Sequence, residues 1–287
     1  MLKPSIVLLT TAIVFQPLFA EELATFNAYV DSDICSHLML GPITDPRMEC
    51  TRSTYKDGSD PVLVRLKDNF VFEIDKEKMV KEHVANFVEA NGEPKEKDGR
   101  IKLKSVRSVE RASLPTSGPE SRLLDVRQYK LTGAGAQTAE KVRHELAMMP
   151  YITEYDYISF SLIGTQVILS GWTVRITNRS TAENLVKSIE GVEQVTNNIS
   201  VLPLGRNDNM IRANARAKLQ RMLSRYFWGS GSDIKIIVKN GKIILLGSVS
   251  TKEDSDIAYI QCSTVGSAFK VFNLLRVNPS SSKEKKG

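Results

Sequence analysis

The side chains with the most chemistry to offer are three cysteines and three histidines, spread over 287 residues. Cys35 and Cys50 flank a short segment that contains Gly41, Pro42 and Pro46. A disulfide between them would close a small loop, and such closures stabilise by roughly 3 kcal/mol. With His37 the two thiols would make three zinc ligands. A structural zinc site needs a fourth, and the sequence has no Cys-x-x-Cys pair. The expected state is therefore a Cys35–Cys50 disulfide and no metal. Cys262 shares an apolar i, i+4 row with Ala258 and reads as a small buried hydrophobe. His37, His83 and His144 stand in separate segments. There is no Gly-x-Ser-x-Gly, no His-Glu-x-x-His and no P-loop. These absences point away from an enzyme, with no catalytic residue, cofactor or small-molecule substrate expected.

The other chemistry on offer is charge. The chain carries a formal net charge of +6, unevenly placed. Residues 21–136 hold 18 basic and 20 acidic side chains, residues 137–205 hold 5 and 7, and residues 206–287 hold 15 and 6. The cations concentrate in a helical pattern over 211–228. At 100° per residue, Ile211, Ala215, Leu219, Met222, Leu223 and Tyr226 fall on one apolar arc. Arg212 and Arg216 flank the arc on one side. Lys218, Arg221 and Arg225 flank it on the other, with Trp228 beside them. An ordinary amphipathic helix on a sheet explains the arc. It does not explain five cations without an acid, or the Tyr226-Phe227-Trp228 ending. Aromatic tips beside cations suit a lipid headgroup layer. Arg212, Arg216, Lys218, Arg221, Arg225 and Trp228 are therefore the candidate lipid- or anion-binding residues. An anionic phospholipid surface is the first expected partner. The alternative is a protein-binding or chaperone-like role, engaging an acidic envelope protein or a cell-wall polymer.

The elements that would position these residues come as a repeat. Residues 158–201 recur at 234–277. Gly164, Val167, Ile168, Leu169 and Gly171 align with Asn240, Ile243, Ile244, Leu245 and Gly247, and a helical stretch precedes each copy. In the first copy, a helix is expected over 139–149, with Val142, Leu146 and Met149 at helical spacing. Ile158, Phe160 and Leu162 alternate with polar neighbours as a half-buried strand does. Gly164-Thr165 and Asn240-Gly241 make hairpin turns, since those residues tolerate positive φ. A helix over 181–189 and a strand over 195–201 complete a two-layer αββαβ unit. Gly171 and Gly247 read as structural glycines that end a strand and let the next helix pack close.

This pattern resembles the BON family, a small module of exported bacterial envelope proteins. The strand endings Ile168-Leu-Ser-Gly171 and Leu245-Leu-Gly247-Ser, each followed by a helix and a strand, carry the resemblance. It implies non-enzymatic binding at phospholipid surfaces in envelope maintenance. The expected units are 137–203 and 208–278.

Residues 1–20 read as a secretory signal: Lys3, an apolar core over 6–15 too short to span a bilayer, and Ala20 before Glu21-Glu22. An uncleaved anchor is the alternative. Residues 30–111 read as a small OB-like β-barrel, with strands over 61–66, 69–74, 86–91 and 101–106 and a short helix over 76–81. The motif order is similar to a family of small exported bacterial domains of unknown role. It runs from Asp31-Ser-Asp-Ile-Cys35 through Cys50, Asp57-Gly58 and Val88-Glu-Ala-Asn-Gly92 to the strand at 101–106. Ser36 stands where that family has Gly. Phe70 and Phe72 share a face with Ile74, so they read as core and not as a nucleic-acid platform. No nucleic-acid partner is expected. Residues 112–136 read as a linker with a short strand at 123–131, and 279–287 as a disordered tail. The expected fold class is α+β, a barrel followed by two αββαβ units in a protein exported to the bacterial periplasm, peripheral to a membrane.

Overall fold

The structure is a computed structural model that describes residues 23–115, 133–228 and 233–278. The signal, the strand at 123–131, most of the linker and the tail lie outside those residues.

Five strands close a barrel in the order β1-β2-β3-β5-β4: β1 (Ala24–Ser32), β2 (Pro61–Arg65), β3 (Val71–Ile74), β4 (Phe87–Lys95) and β5 (Arg100–Ser108). Pairing of β1 with β4 shuts the barrel, and β3 meets β5 in parallel. Phe26, Leu63, Phe72, Val88 and Leu103 fill the inside. Alternation of apolar and polar residues sets this inward row, since successive side chains point to opposite faces. The barrel begins at Ala24, earlier than the expected residue 30. Two 3-10 turns, Glu77–Met79 and Lys81–His83, stand where the short helix was expected.

Two helices that the periodicity did not reveal join β1 to β2: α1 (Asp33–Leu38) and α2 (Asp45–Lys56). Ser32 caps α1 by accepting the Cys35 N–H at 3.1 Å. A proline starts α2, where its missing N–H costs nothing. The buried face of α2 is polar. Asp31, fully buried, accepts from Arg47 Nε at 2.9 Å and from Thr51 Oγ1 at 2.5 Å. The Cys35–Cys50 disulfide ties the two helices together, with Cα atoms 6.1 Å apart. Cys262 is free and buried.

The repeat follows. The first copy is α3 (Ala134–Ala147), β6 (Tyr157–Ile163), β7 (Gln166–Thr173), α4 (Ile176–Lys187) and β8 (Gln194–Val201). The second is α5 (Arg206–Met222), β9 (Ile234–Lys239), β10 (Lys242–Val249), α6 (Lys252–Ser263), β11 (Lys270–Asn273) and β12 (Arg276–Val277). Their registers coincide on a shift of 76 residues. Ile158 pairs with Gly171 and Ile234 with Gly247, while Gln166 faces Gln194 and Lys242 faces Lys270. The central strand of each copy runs antiparallel to its hairpin partner and parallel to the last strand. Helix α4 starts at Ile176, one turn ahead of its expected start. α5 stops at Met222, and a 3-10 turn over Ser224–Phe227 carries the rest of the expected helix.

Gly171 and Gly247 lie inside β7 and β10, not at their ends. Their φ angles are 122° and 102°, and a Cβ on either would sit 1.9 Å from a carbonyl oxygen, of Tyr157 or of Asp233. The constraint comes from the neighbouring strand and not from a helix.

One face of each sheet is covered by its two helices, through Val167, Leu169 and Ile199 in the first copy and Ile243, Leu245 and Val271 in the second. The other faces are not open. Ile34 of α1, Trp172, Leu202, Ile237, Ile244, Leu246 and Phe272 form a single core at which the barrel and both repeats meet. Trp172 is wholly buried there. The uninterrupted apolar runs at Val167-Ile-Leu and Ile243-Ile-Leu-Leu are what strands buried on both faces require.

Candidate functional site

The six residues singled out by charge and helical spacing do not act as one set. Arg212 is only 3% exposed. Its guanidinium donates to the Val238 carbonyl at 2.7 Å, the Pro203 carbonyl at 3.0 Å and Asn209 Oδ1 at 2.6 Å. Burial lowers its pKa from the ordinary guanidinium value. Arg212 thus fastens α5 to β9. Arg216 pairs with Glu154 of the first repeat. Arg212 is thereby taken out of solvent, while Arg216, whose side chain is 43% exposed, is held in an ion pair to the other repeat.

Lys218, Arg221 and Arg225 line the other side of α5 and the turn after it. Lys218 Nζ donates to Thr264 Oγ1 at 3.0 Å, just past the end of α6. Arg225 pairs with Asp254 at the start of α6, while Tyr226 Oη donates to the same carboxylate at 2.6 Å. Burial alone would raise the Asp254 pKa. The hydrogen bonds from Tyr226, the Thr251-capped helix start and Arg225 outweigh it and hold the group below the usual carboxylate range. Arg221 is exposed and makes no ion pair among the described residues. Met222 was expected on the buried arc, yet it is 54% exposed because the helix ends there. Trp228 is 77% exposed. The surface that remains comprises Lys218, Arg221, Met222, Arg225 and Trp228.

The excess positive charge of the second repeat has a further explanation that the sequence reading missed. Lys239 Nζ lies 3.2 Å from Asp33 and 2.7 Å from Glu73. Lys242 lies 2.6 Å from Asp60, and Lys270 3.2 Å from Asp57. Glu73 lies on barrel strand β3, and Asp33, Asp57 and Asp60 lie on the helical connection from β1 to β2. The charge difference between the two repeats was read as pointing to an outside partner. Part of it is instead matched within the chain, where an acidic barrel faces a basic repeat. Burial pushes the Lys239 pKa down, but Asp33 and Glu73 outweigh that and hold it above the usual range. Burial would raise Asp33, and Lys239 with His37 holds it well below the usual carboxylate range.

His37 sits at the same junction. Its Nδ1 is 2.7 Å from Ser170 Oγ, and its Nε2 is 3.2 Å from Ser200 Oγ and 3.5 Å from Asp33. The ring meets Trp172 edge-on at 4.5 Å. Serine, histidine and aspartate in one chain of contacts are the parts of a nucleophilic triad. Here Ser170, His37 and Asp33 are buried against other protein groups, and Ser200 is the nearer partner of Nε2. The arrangement fastens α1 to β7 and β8. Nearby, Asn198 accepts the Val71 N–H at 3.0 Å and donates to the Asn69 carbonyl at 2.7 Å, joining the first repeat to the barrel. Among the described residues, no group of three His, Cys, Asp or Glu side chains is placed to hold a metal ion. No helix of the described residues is long and apolar enough to cross a membrane.

Comparison with known proteins bears on the repeat. The BON domain family matches residues 135–203 and again residues 207–279. No curated protein sequence matches the chain. Among solved structures, the chain is similar to CdsD, a structural protein of the type III secretion system of Chlamydia trachomatis, at 11% identity. That match covers 50% of this chain and 94% of the other, with a TM-score of 0.20. A second match is to the C-terminal domain of CdsD, also at 11% identity, covering 52% of this chain and all of that one, with a TM-score of 0.19. Likeness at that level carries no argument about this chain. The C-terminal half of the protein is a tandem pair of BON domains, an envelope-associated and binding-type module set against a closed five-stranded barrel.

Proposed function

We propose that this is a non-enzymatic periplasmic protein that rests against anionic phospholipid through residues 218–228 of its second BON domain. The observation that carries the reading is the pairing of chemistries at the end of α5. Arg221 makes no ion pair among the described residues, Met222 next to it stands mostly in solvent, and so does Trp228 just past the following 3-10 turn. Cations near an anionic leaflet contribute about 1 kcal/mol each, and an interfacial tryptophan adds an apolar term that salt does not screen. Arg212 and Arg216 are not part of this surface. The first BON domain and the barrel serve as its mount, through the junction core and the lysine–carboxylate pairs. Export directed by residues 1–20 belongs to the same reading.

Sedimentation with vesicles of anionic or neutral lipid tests it. The wild-type chain should pellet with anionic vesicles at low salt, and Arg221→Gln should release it partially. Trp228→Ala should weaken binding at both low and high salt. Absence of lipid binding at low salt would sink the reading.

A further inference from the structure

The two repeats differ at one place where their common register makes them directly comparable. In the second, the groove between α5 and the outer edge of β9 is filled from within the chain. The Ile236 N–H donates to the Glu154 carbonyl at 2.7 Å, and Lys235 Nζ donates to the Thr153 carbonyl at 3.2 Å. The Glu154 carboxylate pairs with Arg216 of α5, and Tyr155 packs on the core that Ile211, Ala215 and Ile236 build. Ile234 and Ile236 are completely buried as a result.

In the first repeat the same groove is open. Phe160 pairs with Leu169 as Ile236 pairs with Leu245, so its N–H also points away from the sheet. Strand β6 is an edge strand, and no backbone group among the described residues bonds to its outer side. Ile158 and Phe160 stay only half-buried where their counterparts are fully covered. A groove of about 670 Å³ runs between β6 and α3, walled by Leu146 and Arg143, with Leu40 of the barrel at its rim. Arg143 lies on the α3 wall of this groove, as Arg216 lies on α5. The Arg143 side chain is 61% exposed, and its one ion-pair partner among the described residues is Glu140 on the same helix. An exposed edge beside an apolar groove is the geometry of peptide capture by strand addition.

We propose that this groove binds an extended peptide of a partner protein, added as a further strand on β6, in which an acidic residue precedes an aromatic one. The carbonyl of the acidic residue accepts the Phe160 N–H, its carboxylate meets Arg143, and the aromatic ring covers Ile158, Phe160 and Leu146. The charge of Arg143 calls for the acidic residue, and the Glu154-Tyr155 pair seated in the sister groove supplies the order.

A labelled peptide with the sequence of residues 151–158, titrated with the full chain and followed by fluorescence anisotropy, tests the proposal. Binding should saturate, and a peptide with Lys and Ser at the Glu154 and Tyr155 positions should not bind. Arg143→Glu, an exposed change that leaves folding intact, should weaken binding about tenfold, as loss and reversal of a charge-assisted contact does. Phe160→Val keeps the backbone donor and should still bind. Phe160→Pro removes that donor at an edge position that tolerates proline and should abolish binding. Failure of the wild-type chain to bind overturns the proposal, as does binding that Arg143→Glu leaves unchanged. Binding that appears only when residues 116–132 are replaced by a Gly/Ser linker would make the chain's own segment the occupant and overturn it. Self-association of the chain that the peptide reverses would do the same in favour of a second copy.

Discussion

Replacing Lys239 with methionine should undo the seat of the second BON domain on the barrel. The ammonium group lies 3.2 Å from Asp33 and 2.7 Å from Glu73, with its side chain 12% exposed and that of Asp33 6%. Removing one member of a buried pair typically costs about 3–5 kcal/mol, because the other charge is left uncompensated. Glu73 is a third exposed, so its share is largely screened, and the methionine returns some apolar burial. A net loss of about 2–3 kcal/mol is expected. The double change Asp33→Asn with Lys239→Met removes both charges and should recover most of it, since neutral replacement of a buried pair is often harmless. The assay is urea unfolding followed by Trp172 emission in a Trp228→Phe background, which leaves the buried junction tryptophan as the sole indole. Asp33 has its pKa lowered by folding, so its contribution is present above about pH 4 and is lost as pH falls below that. Lys239 has its pKa raised, so its contribution is present below about pH 10 and is lost as pH rises further. The wild-type junction should therefore weaken at both extremes, while the double variant stays flat. If Lys239→Met shifts the transition by under about 0.5 kcal/mol and leaves Trp172 emission unmoved, the ion pair does not hold the junction.

Further outcomes follow from other sites. Gly247→Ala should destabilise the second repeat by at least about 3 kcal/mol in denaturant unfolding, since a Cβ there meets the Asp233 carbonyl and φ is positive. Gly171→Ala should do the same in the first repeat against Tyr157. Native protein should show no reactive thiol at neutral pH, because burial pushes Cys262 up to about 12; denatured, unreduced protein should show one, and reduced protein three. Arg212→Gln should lower thermal stability, since it strips buried donors from the Val238 and Pro203 carbonyls, whereas Arg221→Gln should leave the melting curve unchanged.

The repeat was legible because its signals are local. Hairpin turns at Gly164-Thr165 and Asn240-Gly241, the alternation at Ile158, Phe160 and Leu162, and the spacing between copies all lie within a few dozen residues. Helices α1 and α2 escaped because the sequence shows no apolar stripe there. α2 packs through Arg47, Thr51 and Thr54, and Met48 is its one large apolar side chain close to a core. The cap at Ser32 and the first-turn proline Pro46 were the available signal. The end of α5 was misplaced because the pattern of Leu223 and Tyr226 suits a continuing helix as well as a 3-10 turn, and only the latter exposes Met222. The candidate cations divided for a reason no helical wheel contains. Arg212 and Arg216 are spent on Val238 and Glu154, groups that only the folded chain brings near. The junction at His37 and Trp172 was invisible for the same reason, and the two-layer reading of each repeat left its second sheet face without the cover that the junction core supplies.

That junction core makes the unit of inheritance larger than the unit of repetition. Tandem domains are commonly pictured as beads that can be cut apart, shuffled or grafted singly. Neither bead is finished here. A fragment beginning at Arg206 would present Ile237, Ile244, Leu246 and Phe272 to water, a contiguous apolar face of the kind that drives aggregation. The short helix α1 is the keystone that caps this face, and it arrives from the first part of the chain to be made. During synthesis the seat is thus ready before either repeat emerges, and the last repeat closes a core whose other walls are already standing. Transplanting a repeat into another protein would succeed only if a surrogate for Ile34 and its disulfide-braced helix travelled with it.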